Sequence, residues 1–210
     1  MSDETETDDG DRRVVGTVGL PGSGKGEAAA VAERADIPVV TMGDVVRKET
    51  EERGLPPEEH GTVARALRAE DGPEAIARRS IPMIERHLET SDTVVVDGLR
   101  SGVELDCFEE AFGDDFTLVS IEAPFETRAT RLAERGRDLT DEDREALLAR
   151  EQRELDFGMD EAMARADVVI ENTTSLAAYR ERIRTVLDVE SESAEGDATE
   201  TEAGAEVSDR

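Results

Sequence analysis

Residues 19–27, "GLPGSGKGE", set four glycines around one lysine, Lys25. Glycine reaches backbone angles closed to other residues, so Gly19, Gly22 and Gly24, with Leu20, Pro21 and Ser23 between them, can turn successive N–H groups toward one point. A helix starting at the lysine adds its positive end, and the ammonium adds a point charge, which together suit the β- and γ-phosphates of a nucleotide. The stretch fits G-x-x-x-x-G-K, the phosphate-loop (Walker A) pattern, up to the position after the lysine, where a Ser or Thr hydroxyl normally meets magnesium. Gly26 and Glu27 stand there instead. Glu27 has two readings: an acid in the first helical turn, stabilising the helix dipole by about 0.3–1 kcal/mol, or a holder of magnesium-bound water. The first is favoured, because a carboxylate beside a triphosphate adds repulsion unless a cation separates them.

Other candidate groups stand at the ends of apolar runs. Asp97 closes "VVVDGLR" (94–100), where a carboxylate could orient magnesium-bound water, and Arg100 follows it; Asp44 and Arg47 lie in "TMGDVVR" (41–47). Arg131, Arg135 and Arg137 punctuate "FETRATRLAERGRD" (125–138). Phosphoryl transfer asks for in-line positioning and charge neutralisation rather than covalent help, so cations of this kind are the expected machinery. His60 and His87 are isolated and show no metal-ligand spacing.

Positioning these groups requires strands that end near one another. Five β-rich runs, at 14–20, 38–42, 93–99, 116–123 and 167–172, are almost continuous Val, Ile or Leu at their centres, as expected of strands covered on both faces. Helical spacing falls between them at 24–35, 43–54, 72–89, 125–136 and 174–187, with Pro82 predicting a kink or break in the third. The alternation predicts a three-layer α/β/α domain with a parallel sheet of about five strands, whose ligands bind beyond the carboxyl ends of the strands. The expected organisation is a disordered acidic start over 1–11, a kinase-like domain over 12–189 with acceptor-side helices at 43–90 and a lid at 136–162, and a disordered acidic tail over 190–210.

The 210 residues carry 53 acids against 25 Lys and Arg, a net charge of -28, and only two of those cations, Lys25 and Lys48, are lysines. Such a surface repels phosphate backbones and anionic lipid, which argues against nucleic-acid and membrane partners. It also repels itself at low salt, so the composition resembles that of proteins from a salt-rich, haloarchaeal cytoplasm. A single cysteine, Cys107, excludes an internal disulfide. The start of the chain has no secretory pattern and no apolar run nears the ~20 residues of a membrane helix, so a cytoplasmic monomer or small homo-oligomer is expected.

Several motifs carry a family resemblance. Adenylate kinases have a loop of the form G-x-P-G-x-G-K-G-T, in which glycine also follows the lysine, and "GLPGSGKG" resembles it; Glu27 departs from its threonine. "TMGDVVR" resembles their S-T-G-D-x-L-R segment through Thr41, Gly43, Asp44 and Arg47, with Met42 departing, and this implies that Arg47 grips the acceptor phosphate. "VVVDGLRS" resembles D-G-F-P-R-T one residue shorter, implying that Arg100 holds the acceptor phosphate as well. The adenine-reading glutamine of that family has no counterpart in "GVELD". "IEAPFETRATRLAERGRD" (121–138) resembles the strand-to-lid passage of adenylate kinase and dephospho-coenzyme A kinase, which implies Arg131 on the donor base, Arg135 on the triphosphate and Arg137 toward the lid. Residues 138–183 are closer to dephospho-coenzyme A kinase, with Arg150 and then Arg153 as lid arginines, and Asn172 opening "NTTS" near the adenine. The whole is similar to an archaeal family of adenylate-kinase-like P-loop proteins.

The resemblance implies ATP and magnesium as cofactors, a small nucleotide-like acceptor, and Lys25, Asp97 and Arg135 as the catalytic group. Dephospho-coenzyme A kinase-like activity, or a switch in which ATP biases a partner contact, are its rivals. The charge makes its own prediction. Moving from ~1 M to ~0.01 M potassium chloride lengthens screening from about 3 Å to about 30 Å, and the melting temperature should fall; an unchanged melting curve would contradict the salt-adapted reading.

Overall fold

A computed structural model describes residues 12–135 and 144–189. Both expected disordered termini, Arg137 and the first part of the expected lid lie outside them, as does the side chain of Arg135. The strands are β1 (Arg13–Val18), β2 (Val39–Thr41), β3 (Thr93–Asp97), β4 (Phe116–Glu122) and β5 (Val168–Glu171). They form one parallel sheet in the order β2-β3-β1-β4-β5. The described helices are α1 (Lys25–Arg34), α2 (Met42–Glu52), α3 (His60–Asp71), α4 (Ala75–Leu88), α5 (Gly102–Phe112), α6 (Phe125–Arg135), α7 (Arg144–Asp156), α8 (Met159–Ala164) and α9 (Leu176–Leu187).

The period-2 geometry of a strand divides the valines between two cores. Val14 and Val18 of β1, Val94 and Val96 of β3, and Phe116 and Leu118 of β4 face one layer, shared with α2, α3, α4, α5 and α8. Val15, Val95, Val119 and Ile121 face the other, shared with α1 and α9. In the first layer Phe108 stacks on Phe116 at 5.7 Å between ring centroids, and a side chain at Gly16 would run into the Phe116 ring. Glycine at 16 is therefore a packing requirement of the neighbouring strand.

Several boundaries differ from the sequence pattern. The run at 38–42 is shorter as a strand, because α2 starts directly at Met42, whose side chain is buried in the first core. Helix α4 does not break at Pro82 but continues to Leu88; tertiary packing of Ile76, Ala77 and Ile84 outweighs the one helical bond that proline forfeits. Helix α3 falls within the expected acceptor-side span, whereas α5 lies outside the spans singled out by pattern; its Ser101 cap accepts the Glu104 N–H at 3.3 Å. Within the span expected as lid, Met159 and Ala162 are buried in the main core. No described helix is long and apolar enough to cross a membrane.

Phe108 is fully buried between Phe112 and Phe116. Phe108→Ala should therefore lower unfolding free energy by about 3–5 kcal/mol, read from denaturant midpoints; a loss below about 1 kcal/mol would contradict the packing described.

Candidate functional site

The chain leaves β1 at Val18 and turns into α1 at Lys25, between the carboxyl ends of β3 and β4. β1 is the switch point of the sheet, with connections running to opposite sides, and ligands of open α/β sheets bind at such a crevice. The turn holds together only with glycine. Gly22 has φ 81° and a side chain there would come within 2.8 Å of the Arg128 carbonyl; Gly24 has φ 120° and a side chain would overlap the Asn172 amide. Gly26, by contrast, has open space beside its Cα.

Lys25 Nζ donates to the Gly19 carbonyl across the turn. Burial lowers its pKa to about 8; the nearby Asp97 and Glu154 carboxylates raise it, and Arg100 and Arg150 push it down. An ammonium so desolvated is stabilised further by any anion brought to the loop. Asp97, at the end of β3, accepts from the Thr17 hydroxyl of β1 at 2.7 Å, which fixes one carboxylate oxygen and leaves the other. Thr17, a lone polar residue in an apolar strand run, is a site residue that the motif reading passes over.

Glu27 turns away from the loop mouth. Its carboxylate accepts from Arg180 of α9 at 2.7 Å and from Arg34 at 3.3 Å, so it joins the first turn of α1 to α9. Arg131 reaches the back of the loop, donating to the Asn172 carbonyl at 3.0 Å, to Asn172 Oδ1 at 3.2 Å and to the Ser23 carbonyl at 3.4 Å. Asn172 is buried at the exit of β5 and gives its Nδ2 to the Ser23 carbonyl at 2.8 Å. Arg131 and Asn172 are thus brought together at the loop.

On the β2–β3 side lies a cavity of about 440 Å³ whose wall includes Arg47, Arg68, Asp97, Arg100 and His60, with Met42, Val46 and Ile76 as apolar lining. Arg47 pairs with Asp44 and donates to Thr41 Oγ1 at 2.9 Å. Burial opposes ionisation of Asp44, but the bonds from Thr41 and Arg47 together hold its carboxyl below the ordinary value. Arg100 donates to Glu154 of α7 at 3.2 Å. Its backbone N–H meets Glu104 Oε2 at 2.9 Å, and Arg68 meets the other oxygen at 3.0 Å. Glu104 is wholly enclosed, and burial raises its pKa against the pull of Arg68. The sequence gives no hint of Glu104 or Glu154, since both look like ordinary acids on acidic helices. Of the expected lid arginines, Arg137 lies outside the described residues, Arg150 is near enough to Lys25 to act on its charge, and Arg153 is exposed on α7.

A glycine cradle with a buried lysine, set at the switch point of this parallel sheet, defines a P-loop nucleotide-kinase-like protein. A family profile described as an AAA domain matches residues 18–148. A UPF0200 protein of Halobacterium salinarum is 57% identical over 176 residues, covering 83% of this chain and 92% of that protein. One from Methanosarcina acetivorans is 44% identical over 179 residues, covering 84% and 94%. The chain belongs to the UPF0200 family of archaeal proteins. In fold it is similar to the Thermus thermophilus protein TT1252 (TM-score 0.56, 24% identity, covering 85% of this chain and 98% of that one). It is also similar to a sugar kinase from a Janibacter species (TM-score 0.55, 17% identity, covering 85% and 95%).

The depressed Lys25 pKa gives the site a pH signature. A bound polyphosphate would raise that pKa, so binding takes up a proton once the free lysine has lost it. Nucleotide affinity should be level below pH 8 and weaken by up to about tenfold per pH unit above it; a profile flat to pH 9.5 in calorimetric titrations would contradict the burial described.

Proposed function

We propose that the protein is a magnesium-dependent kinase that passes the γ-phosphate of ATP to a small nucleotide-like acceptor. The observation that carries this reading is the position of Asp97: it lines the cavity that also holds Arg47 and Arg100, and it acts electrostatically on Lys25. Donor cradle and acceptor cavity therefore meet at one carboxylate.

The residues present fit both cofactors. The Gly22, Gly24 and Lys25 amides are unengaged among the described residues and so can meet phosphate oxygens, and Lys25 would neutralise the β/γ end. No described cluster of three or more His, Cys, Asp and Glu could cage a metal by itself, and Glu27 is engaged by arginines, so Asp97 is the group to hold magnesium, through water. The metal would supply charge neutralisation between the phosphates. Arg47 and Arg100 bind and orient the acceptor's anionic group, after which Asp44 and Glu154 give up their arginines. Arg131 and Asn172 would lie on the donor-base side, and the lid arginines Arg150 and Arg153 of α7 would cover the triphosphate and shut out water; Arg135 and Arg137 keep the roles that the resemblance implies, outside the described side chains. Within this class a nucleoside monophosphate is favoured over dephospho-coenzyme A.

The occupied state of both acceptor arginines supports a second reading, in which ATP binding works a switch and the output is a contact with a partner. A panel of phosphate acceptors, incubated with magnesium ATP in high salt while ADP release is followed, separates the two. The kinase reading expects acceptor-dependent ADP release, its near-complete loss in Lys25→Ala, and in Arg47→Ala a raised acceptor requirement with ATP binding spared. ATP binding without acceptor-dependent turnover would favour the switch, and loss of ATP affinity in Arg47→Ala would put that arginine in the wrong pocket.

A further inference from the structure

We propose that Tyr179, together with Asn172 and Arg128, is a positioning residue that aims the phosphate-loop amides from behind. The inference rests on the nucleotide reading above. In a trans peptide the C=O of one residue and the N–H of the next point in opposite directions across a rigid plane. Anything that pins a loop carbonyl outward therefore turns the following amide inward.

Three such carbonyls are pinned by side chains from outside the loop. The Tyr179 hydroxyl donates to the Gly24 carbonyl at 3.0 Å, which sets the Lys25 N–H. Asn172 Nδ2 donates to the Ser23 carbonyl at 2.8 Å, which sets the Gly24 N–H. Arg128 donates to the Pro21 carbonyl at 3.3 Å, which sets the Gly22 N–H. Among the described residues those three N–H groups make no hydrogen bond of their own. Three loop carbonyls are held from outside while the three amides that follow them stay unengaged.

The supports are themselves rigid. Tyr179 is 1% exposed and packs in the second core with Ile183 and Leu187 of α9, while Arg180 beside it holds Glu27 of α1. Arg128 is buried against Glu151 of α7 and donates its Nε to the Ala123 carbonyl at 2.8 Å. The Gly24 carbonyl has no need of the tyrosine to be satisfied, since it already accepts from the Glu27 and Ala28 amides at 2.9 and 3.3 Å. What the hydroxyl adds is direction. The competing account is that a buried tyrosine hydroxyl takes the nearest acceptor to satisfy itself.

Titration of the full chain with ATP and with inorganic tripolyphosphate, in wild type, Tyr179→Phe and Asn172→Ala, separates these accounts, because tripolyphosphate carries no base. The loss of one aiming bond in Tyr179→Phe should weaken both ligands by the same factor, about three- to tenfold, and shift the Lys25 amide resonance. Asn172, which also holds Arg131 on the donor-base side, is read with tripolyphosphate: Asn172→Ala should weaken it about three- to tenfold and shift the Gly24 amide resonance, and it carries the expectation should Tyr179→Phe not fold. A lowered melting temperature with tripolyphosphate affinity within twofold of wild type in both variants, or a loss in Tyr179→Phe confined to ATP, would overturn the inference. If wild type bound neither ligand, the nucleotide reading itself would fail and take this one with it.

Discussion

A desolvated ammonium is the constraint around which this molecule is built. Lys25 has lost much of its water, and within the loop it is offered a single backbone carbonyl. Burying a charge without full compensation is unfavourable, and the glycine conformations beside it are inaccessible to other residues. An anion at the loop would complete the compensation of that charge, while the glycines let Arg128 and Asn172 approach the loop from behind. The apolar strands, the two cores and the switch-point topology hold that loop where the sheet opens.

The organisation around Lys25 is two-sided. Behind and beside the loop, β5, α6 and α9 supply Asn172, Arg131 and Tyr179; across β3, the cavity presents Arg47 and Arg100, with Asp97 between the two sides. Arg47 and Arg100 are each held by a carboxylate of the chain itself, Asp44 or Glu154. Under the proposed function, a phosphorylated acceptor would displace those internal anions, so its affinity would be a difference between two sets of ion pairs rather than the sum of new ones. Both pairs are partly exposed, where such contacts contribute little in isolation, which keeps the exchange reversible.

The loop, the parallel sheet and the strand-end carboxylate were legible because each follows from short-range rules: glycine at fixed offsets, continuous valine runs, an acid where a run stops. Contacts made through long range were not. Nothing local distinguishes Glu154 from the other acids of α7, and the favoured reading of Glu27 as a helix-start acid gave no sign that Arg180, far along the chain, would be its partner. Pro82 shows the opposite case, since of the kink or break that a local rule predicts the break does not occur where α4 packs on the sheet. Tyr179 sits in an ordinary amphipathic helix, and only the fold reveals that its hydroxyl ends on Gly24.

The most direct measurement is a crystal structure with a non-hydrolysable ATP analogue and magnesium. The account predicts β-phosphate oxygens about 2.7–3.2 Å from the Gly22, Gly24 and Lys25 amides, with the lysine ammonium swung from the Gly19 carbonyl onto the phosphates. A nucleotide bound elsewhere, or a loop whose amides face away from the phosphate chain, would contradict it.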